Sequence, residues 1–182
     1  GFLDQGGFTY YLSNSGAMET GWFYTNGHWY LALDNGAVLK NSWYKDNGKW
    51  YYLGSDGQMK SGFFTSGGAT YYAYSSGVMV SGWFQSGNDW YYATDSGNVL
   101  KGCWYKWGNE WYYLDDDGKM VTSELIKDGK KYTFNSNGTL AKTENYTPPK
   151  DETTEEKKDG TTDTNKAEVT KTNSANVSVE IA

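Results

Sequence analysis

The residues of this chain whose types and spacing could do chemistry are its tryptophans and tyrosines. Trp22 and Trp29, Trp43 and Trp50, Trp83 and Trp90, and Trp104 and Trp111 form four pairs, each seven residues apart. A tyrosine directly follows the second member of each pair, as Tyr30, Tyr51, Tyr91 and Tyr112. Aromatic faces carry a negative quadrupole that attracts cations, and flat rings also offer a stacking surface. The chemistry on offer is therefore non-covalent recognition. The other candidates read as turn or packing residues. His28, the single histidine, lies beside Asn26-Gly27, where a solvated turn residue is a simpler reading than a general base. Asp56, Asp95 and Asp115 to Asp117 sit at turn positions where aspartate bonds its own backbone. The run Asp115-Asp116-Asp117-Gly118 lacks the spacing of an EF-hand loop. Cys103, the only cysteine, holds the place that Ser42 has before Trp43; it reads as a small residue packed beside a strand and rules out an intrachain disulfide framework. The chain reads as non-catalytic, with no cofactor and no metal site.

The elements that must position the rings are short hairpins. In Trp43–Ser61, Asn47-Gly48 separates Trp43-Tyr44-Lys45-Asp46 from Lys49-Trp50-Tyr51-Tyr52, the strongest short-range signal for a two-residue β-hairpin loop. Pairing Asp46 with Lys49 sets Lys45 opposite Trp50, Tyr44 opposite Tyr51 and Trp43 opposite Tyr52. Period-2 alternation then puts Trp43, Trp50 and Tyr52 on one face, with Tyr44 and Tyr51 on the other. A lone hairpin cannot bury two aromatic faces, so it must stack on neighbours.

Those neighbours are copies of itself, at a period of 20 or 21 residues. The position of Trp43 recurs as Phe2, Trp22, Phe63, Trp83, Trp104 and Leu125, and that of Tyr51 as Tyr10, Tyr30, Tyr71, Tyr91, Tyr112 and Tyr132. Two-residue loops recur at Gly6-Gly7, Asn26-Gly27, Gly67-Gly68, Gly87-Asn88 and Gly108-Asn109. A glycine two residues before Met18, Val38, Met59, Met79, Val99, Met120 or Leu140 closes each repeat. The seventh repeat, around Asp128-Gly129, loses both Trp positions and reads as a terminal cap. The predicted fold is all-β, a solenoid of seven tandem β-hairpins over residues 1–142. For Tyr52, Tyr72, Tyr92 and Tyr113 packing between hairpins is the expected role.

Composition agrees. Trp (9), Tyr (17) and Phe (7) with 23 glycines suit many tight hairpins better than one aliphatic core. There is no Arg, and residues 1–142 carry a net −2 of the total −6, which excludes a basic nucleic-acid surface. No apolar run approaches the ~20 residues of a membrane span. Opening on Gly1 at the start of a repeat is what a processed product or a piece cut from a longer chain would show. Residues 143–173 turn to Thr, Lys, Glu and Asp with Pro148-Pro149 and read as a solvated linker; 174–182 alternate Val177, Val179 and Ile181 with polar residues, as a strand of a following domain or one pairing with a sheet edge would, with a disordered end as the alternative.

The pattern [G/S]-W-[F/Y]-x(3)-[G/N]-x-W-Y-Y-x(4)-G-x-M, seen in Trp43–Met59, Trp83–Val99 and Trp104–Met120, resembles the cell-wall-binding repeat of the choline-binding modules of Gram-positive bacteria and their phages. The resemblance implies a left-handed superhelix with choline held between consecutive hairpins by two Trp of one repeat and a Tyr of the next. It also implies anchoring of a secreted surface protein to phosphocholine on teichoic or lipoteichoic acid. Carried onto this sequence, the cages are Trp22, Trp29, Tyr51 with Met59; Trp43, Trp50, Tyr71 with Met79; Trp83, Trp90, Tyr112 with Met120; and Trp104, Trp111, Tyr132 with Leu140. The Met and Leu rest on the resemblance alone. Phe2, Thr9, Tyr30 and Phe63, Thr70, Tyr91 mark two degraded interfaces, each short of one ring. A glucan-binding or structural stalk is the alternative, because related repeats use such rings on carbohydrate.

Overall fold

A computed structural model of the chain describes residues 1–149. Gly1–Thr147 forms one compact unit and a second begins at Pro148. All that follows concerns the first; the expected linker beyond 149 and the strand over 174–182 lie outside the described residues.

The unit is built of hairpins in chain order: β1 (Phe2–Gln5) with β2 (Phe8–Tyr11), β3 (Gly21–Thr25) with β4 (His28–Ala32), β5 (Ser42–Asp46) with β6 (Lys49–Leu53), and β7 (Gly62–Ser66) with β8 (Ala69–Ala73). They continue as β9 (Gly82–Ser86) with β10 (Asp89–Ala93) and β11 (Cys103–Trp107) with β12 (Glu110–Leu114). The last repeat makes a three-stranded sheet of β13 (Glu124–Lys127), β14 (Lys130–Phe134) and β15 (Leu140–Asn145). The register is the one the loop dictates: Asp46 faces Lys49, Lys45 faces Trp50, Tyr44 faces Tyr51 and Trp43 faces Tyr52. Both loop residues at Asn47-Gly48 have positive φ, 48° and 81°, as a type I′ turn requires. At Gly87-Asn88 and Gly108-Asn109 the first residue carries positive φ, 63° and 62°, which fits type II′ and its glycine-first order.

Successive hairpins are stitched by one recurring backbone bond. Val38, Met59, Met79, Val99 and Met120 each donate N–H to the carbonyl of Thr9, Trp29, Trp50, Thr70 and Trp90 in the preceding repeat, at 2.7–2.8 Å. Rings fill the rest of the interface. Tyr52, Phe64 and Tyr71 stack in series at 5.2 and 5.7 Å, and Tyr72, Phe84 and Tyr91 at 4.7 and 5.4 Å. Tyr52 and Tyr72 thus pack between hairpins as expected, Tyr92 stacks 3.9 Å from Tyr105, and Tyr113 is buried. Burial also pushes the Tyr105 phenol above its ordinary pKa, with a hydrogen bond to Tyr92 adding to it. Leu53, Ala93 and Leu114, wholly buried at strand ends, complete a narrow core beside these rings.

Where a Met of the preceding repeat packs against it, the glycine two residues before the second anchor is needed twice over. Gly77 has φ 81°, and a Cβ there would lie 2.2 Å from Met59 Sδ of the preceding repeat. Gly36 receives Met18, Gly97 receives Met79 and Gly138 receives Met120 in the same way.

The seventh repeat departs from expectation in two respects. Lys127 faces Lys130 and Leu125 faces Tyr132, so counting from the loop places Leu125 with Tyr44, and Glu124 holds the position of Trp43. Glu124 bonds Lys131, which holds the position of Trp50, at 2.7 Å: an ion pair replaces the two tryptophans and gives the end hairpin a polar face. The sheet also runs past residue 142. In other repeats the third strand is a single bridge such as Leu53 to Met59, whereas here it extends along β14 to Asn145.

Candidate functional site

Each inter-hairpin junction presents the same construction. The first Trp of a pair meets the Tyr of the next hairpin, edge-on for Trp22 to Tyr51 at 5.2 Å, Trp43 to Tyr71 at 4.8 Å and Trp104 to Tyr132 at 4.8 Å, and tilted for Trp83 to Tyr112 at 4.9 Å. These contacts follow from the register, because the first Trp and the Tyr lie on facing surfaces of adjacent hairpins. The second Trp lies nearer the loop with its ring turned outward, and the stitching bond fixes the carbonyls of Trp29, Trp50 and Trp90. Trp29, Trp50, Trp90 and Trp111 are 45, 41, 43 and 43 % exposed. A ring serving only as core would not stay so open at four equivalent places; a ring forming the lip of a binding site would.

The first of these junctions encloses an open cavity of about 230 Å³ lined by Trp22, Trp29, Tyr51 and Met59, with Asp46 and Ser76. The structure thus brings together all four residues expected at that cage. Elsewhere Trp104 and Trp111 are perpendicular at 6.5 Å, completing three sides with Tyr132. Met79 and Met120 are seated on Gly97 and Gly138, and Leu140 pairs with Phe134 in the three-stranded sheet. The indole N–H of Trp83 is buried and has no acceptor among the described residues.

The degraded junctions keep the edge-on contact and lose the lip. Phe2 meets Tyr30 at 5.0 Å and Phe63 meets Tyr91 at 4.9 Å, but Thr9 and Thr70 stand where the second Trp would be. At the first of them the Lys40 ammonium donates to Thr9 Oγ1 at 2.8 Å.

Residues beyond the expected set also border the cages. Asp46 reaches the Trp22 cavity because the residue before each loop shares a face with the cage tyrosine, as Tyr51 does with Asp46. The period-2 argument contained that signal. Of the acids expected to be turn formers, two bond turn backbone: Asp115 Oδ1 accepts from the N–H of Asp117 and Lys119, and Asp56 Oδ1 from that of Gln58; in the turn holding Asp95 the acceptor is Thr94 Oγ1, bonded by the N–H of Asn98. His28 is exposed opposite Thr25 at its loop. Cys103 is partly buried, and that burial pushes its thiol pKa up.

Comparison with known proteins places these features. The family described as putative cell wall binding repeat matches residues 20–38, 41–59, 61–79 and 81–99, and the choline-binding repeat matches 100–144. No curated protein sequence matches the chain. Among solved structures, choline binding protein F from Streptococcus pneumoniae is 38 % identical over 78 % of this chain and 51 % of its own, with a TM-score of 0.70. CbpJ from Streptococcus pneumoniae TIGR4 is 34 % identical over 78 % and 52 %, with a TM-score of 0.72. The pneumococcal cell wall endolysin of phage Cp-1, solved with choline, is 32 % identical over 71 % and 40 %, with a TM-score of 0.51. The chain spans about half the length of the first two. With matched repeats running from residue 20 to 144 and hairpins that share their fold, the chain belongs to the choline-binding repeat family.

Proposed function

We propose that this chain is a non-catalytic module that binds choline, as phosphocholine on cell-wall teichoic or lipoteichoic acid, in four aromatic cages. The module would hold a secreted protein at the surface of a Gram-positive bacterium. The observation that carries the reading is the open cavity formed by Trp22, Trp29, Tyr51 and Met59. A quaternary ammonium suits such walls: its charge is spread over methyl groups, it has no N–H to satisfy, and each ring contributes roughly 0.5–2 kcal/mol. An ammonium with N–H groups would have to shed strongly held water. Three rings give on the order of 2–6 kcal/mol gross, and −4.1 kcal/mol corresponds to about millimolar, so a single cage is weak. Four cages on one polymer raise avidity through effective concentration, which is what an anchor needs. Any catalytic activity of a longer protein would belong to a different domain.

Retention on a choline or DEAE matrix with elution by free choline is the expected behaviour. Retention on dextran with no response to choline would support the glucan-binding alternative and defeat this reading.

A further inference from the structure

We propose that the residues flanking the hairpin loops rank the four cages, so that a quaternary ammonium fills those of Trp22/Trp29 and Trp83/Trp90 before those of Trp43/Trp50 and Trp104/Trp111. The inference rests on the choline reading and adds to it which cages are occupied at limiting ligand, and why.

Two positions change the charge or the number of rings from cage to cage. The first is the cross-strand partner of the second Trp, on the same hairpin face. Lys45 holds its Nζ 5.5 Å from the centre of the Trp50 ring, and Lys106 holds its own 5.6 Å from Trp111. In the other two cages this partner is neutral: Tyr24 packs 5.4 Å from Trp29, and Gln85 faces Trp90. A ring already facing one ammonium is a poorer host for a second, because both draw on the same quadrupole and repel each other.

The second position is the residue before the next loop, which projects from the face carrying the cage tyrosine. At Trp22/Trp29 it is Asp46, whose carboxylate borders the cavity. At Trp83/Trp90 it is Trp107, a further ring 6.4 Å from Trp83. At Trp43/Trp50 it is Ser66, and at Trp104/Trp111 it is Lys127, whose Nζ lies 5.9 Å over Tyr113, itself 5.1 Å from Trp104. The two positions act in the same direction. The Trp22 cage has an added ring and an acid; the Trp104 cage has two lysines.

A unit charge about 8 Å from the bound cation, in a medium between water and a protein surface, changes affinity roughly two- to fivefold. One favourable charge at Trp22/Trp29 against two unfavourable ones at Trp104/Trp111 separates these cages by on the order of ten- to a hundredfold.

The test is a choline titration of the full chain, followed by calorimetry and by the indole N–H signals of Trp29, Trp50, Trp90 and Trp111 in nuclear magnetic resonance. Two classes of two sites are expected, with Trp29 and Trp90 responding at lower choline. Asp46→Asn should weaken the Trp29 response alone, about two- to fivefold. The double variant Lys106→Gln/Lys127→Gln should strengthen the Trp111 response, and raising salt to about 1 M, where the screening length falls to about 3 Å, should shrink both effects. One affinity for all four indoles, or a Trp111 response that the folded double variant leaves unchanged, overturns the ranking while leaving choline binding intact. Absence of any indole response up to tens of millimolar choline would instead sink the cage reading beneath it.

Discussion

Thr70→Trp should create a fifth cage. The junction between the fourth and fifth hairpins already has the stacking contact and the backbone of a cage, with Phe63 for the first Trp and Val99 for the Met: Phe63 meets Tyr91 at 4.9 Å, as Trp43 meets Tyr71 at 4.8 Å, and the Thr70 carbonyl accepts from Val99 at 2.8 Å, as that of Trp50 does from Met79. The backbone beneath residue 70 is therefore set as it is beneath Trp50. Thr65, opposite Thr70, is exposed and uncharged, so a new indole would find room and no competing ammonium. The added ring contributes roughly 0.5–2 kcal/mol, a two- to thirtyfold gain, enough to bring the junction to about millimolar with Phe63 as the weaker first ring. Calorimetry should count four choline sites in the unaltered chain and five in the variant, with a new indole signal responding to choline. A folded variant that still counts four, or an unaltered chain already occupied at Thr70, would refute the idea that the paired tryptophans select the ligand.

Trp50→Ala should abolish one site and keep the folded β signal, because its ring is 41 % exposed, whereas Leu53→Ala, at a wholly buried position, should cost about 2–5 kcal/mol in chemical denaturation. Gly77→Ala should cost about 1–2 kcal/mol for its left-handed backbone and a further ~1–3 kcal/mol for the collision with Met59; adding Met59→Ala should relieve the second part only, a non-additivity that a thermal-melt cycle can read. The Cys103 thiol, its pKa raised by burial, should alkylate at pH 8 more slowly in the folded chain than in urea; equal rates would mean the side chain is free.

The hairpin register and the four Trp–Tyr contacts were legible because a two-residue loop fixes pairing absolutely, and period 2 then assigns every face. Counting from an apolar residue is less secure: Leu125 resembles a degraded Trp, but the loop at Asp128-Gly129 places Glu124 there instead. β15 was illegible because it is an exposed edge strand, whose residues Ala141 to Asn145 have the polar composition of a linker. The seat of Met59 on Gly77 joins residues of adjacent repeats at close range, and no local pattern distinguishes that need from the positive φ that glycine also supplies. Asp46, Trp107 and Lys127 were open to inference from their shared face with the tyrosines, yet their register positions hold different residue types and so did not stand out as a repeat.

The chain contains its own test of which rings are architecture and which are ligand site. Where the first Trp becomes Phe63, the edge-on contact with Tyr91 keeps its 4.9 Å spacing, so an aromatic ring at that position is part of how hairpins stack. Where the second Trp becomes Thr70, the stitching bond to Val99 and the stack of Tyr72, Phe84 and Tyr91 remain in place. The fold therefore does not require the second indole. It is retained, nearly half exposed, at the four junctions whose first ring is also Trp, and it is absent from both junctions whose first ring is Phe. That joint presence and absence is what selection on a two-Trp cage would leave, and stacking alone gives no reason for it.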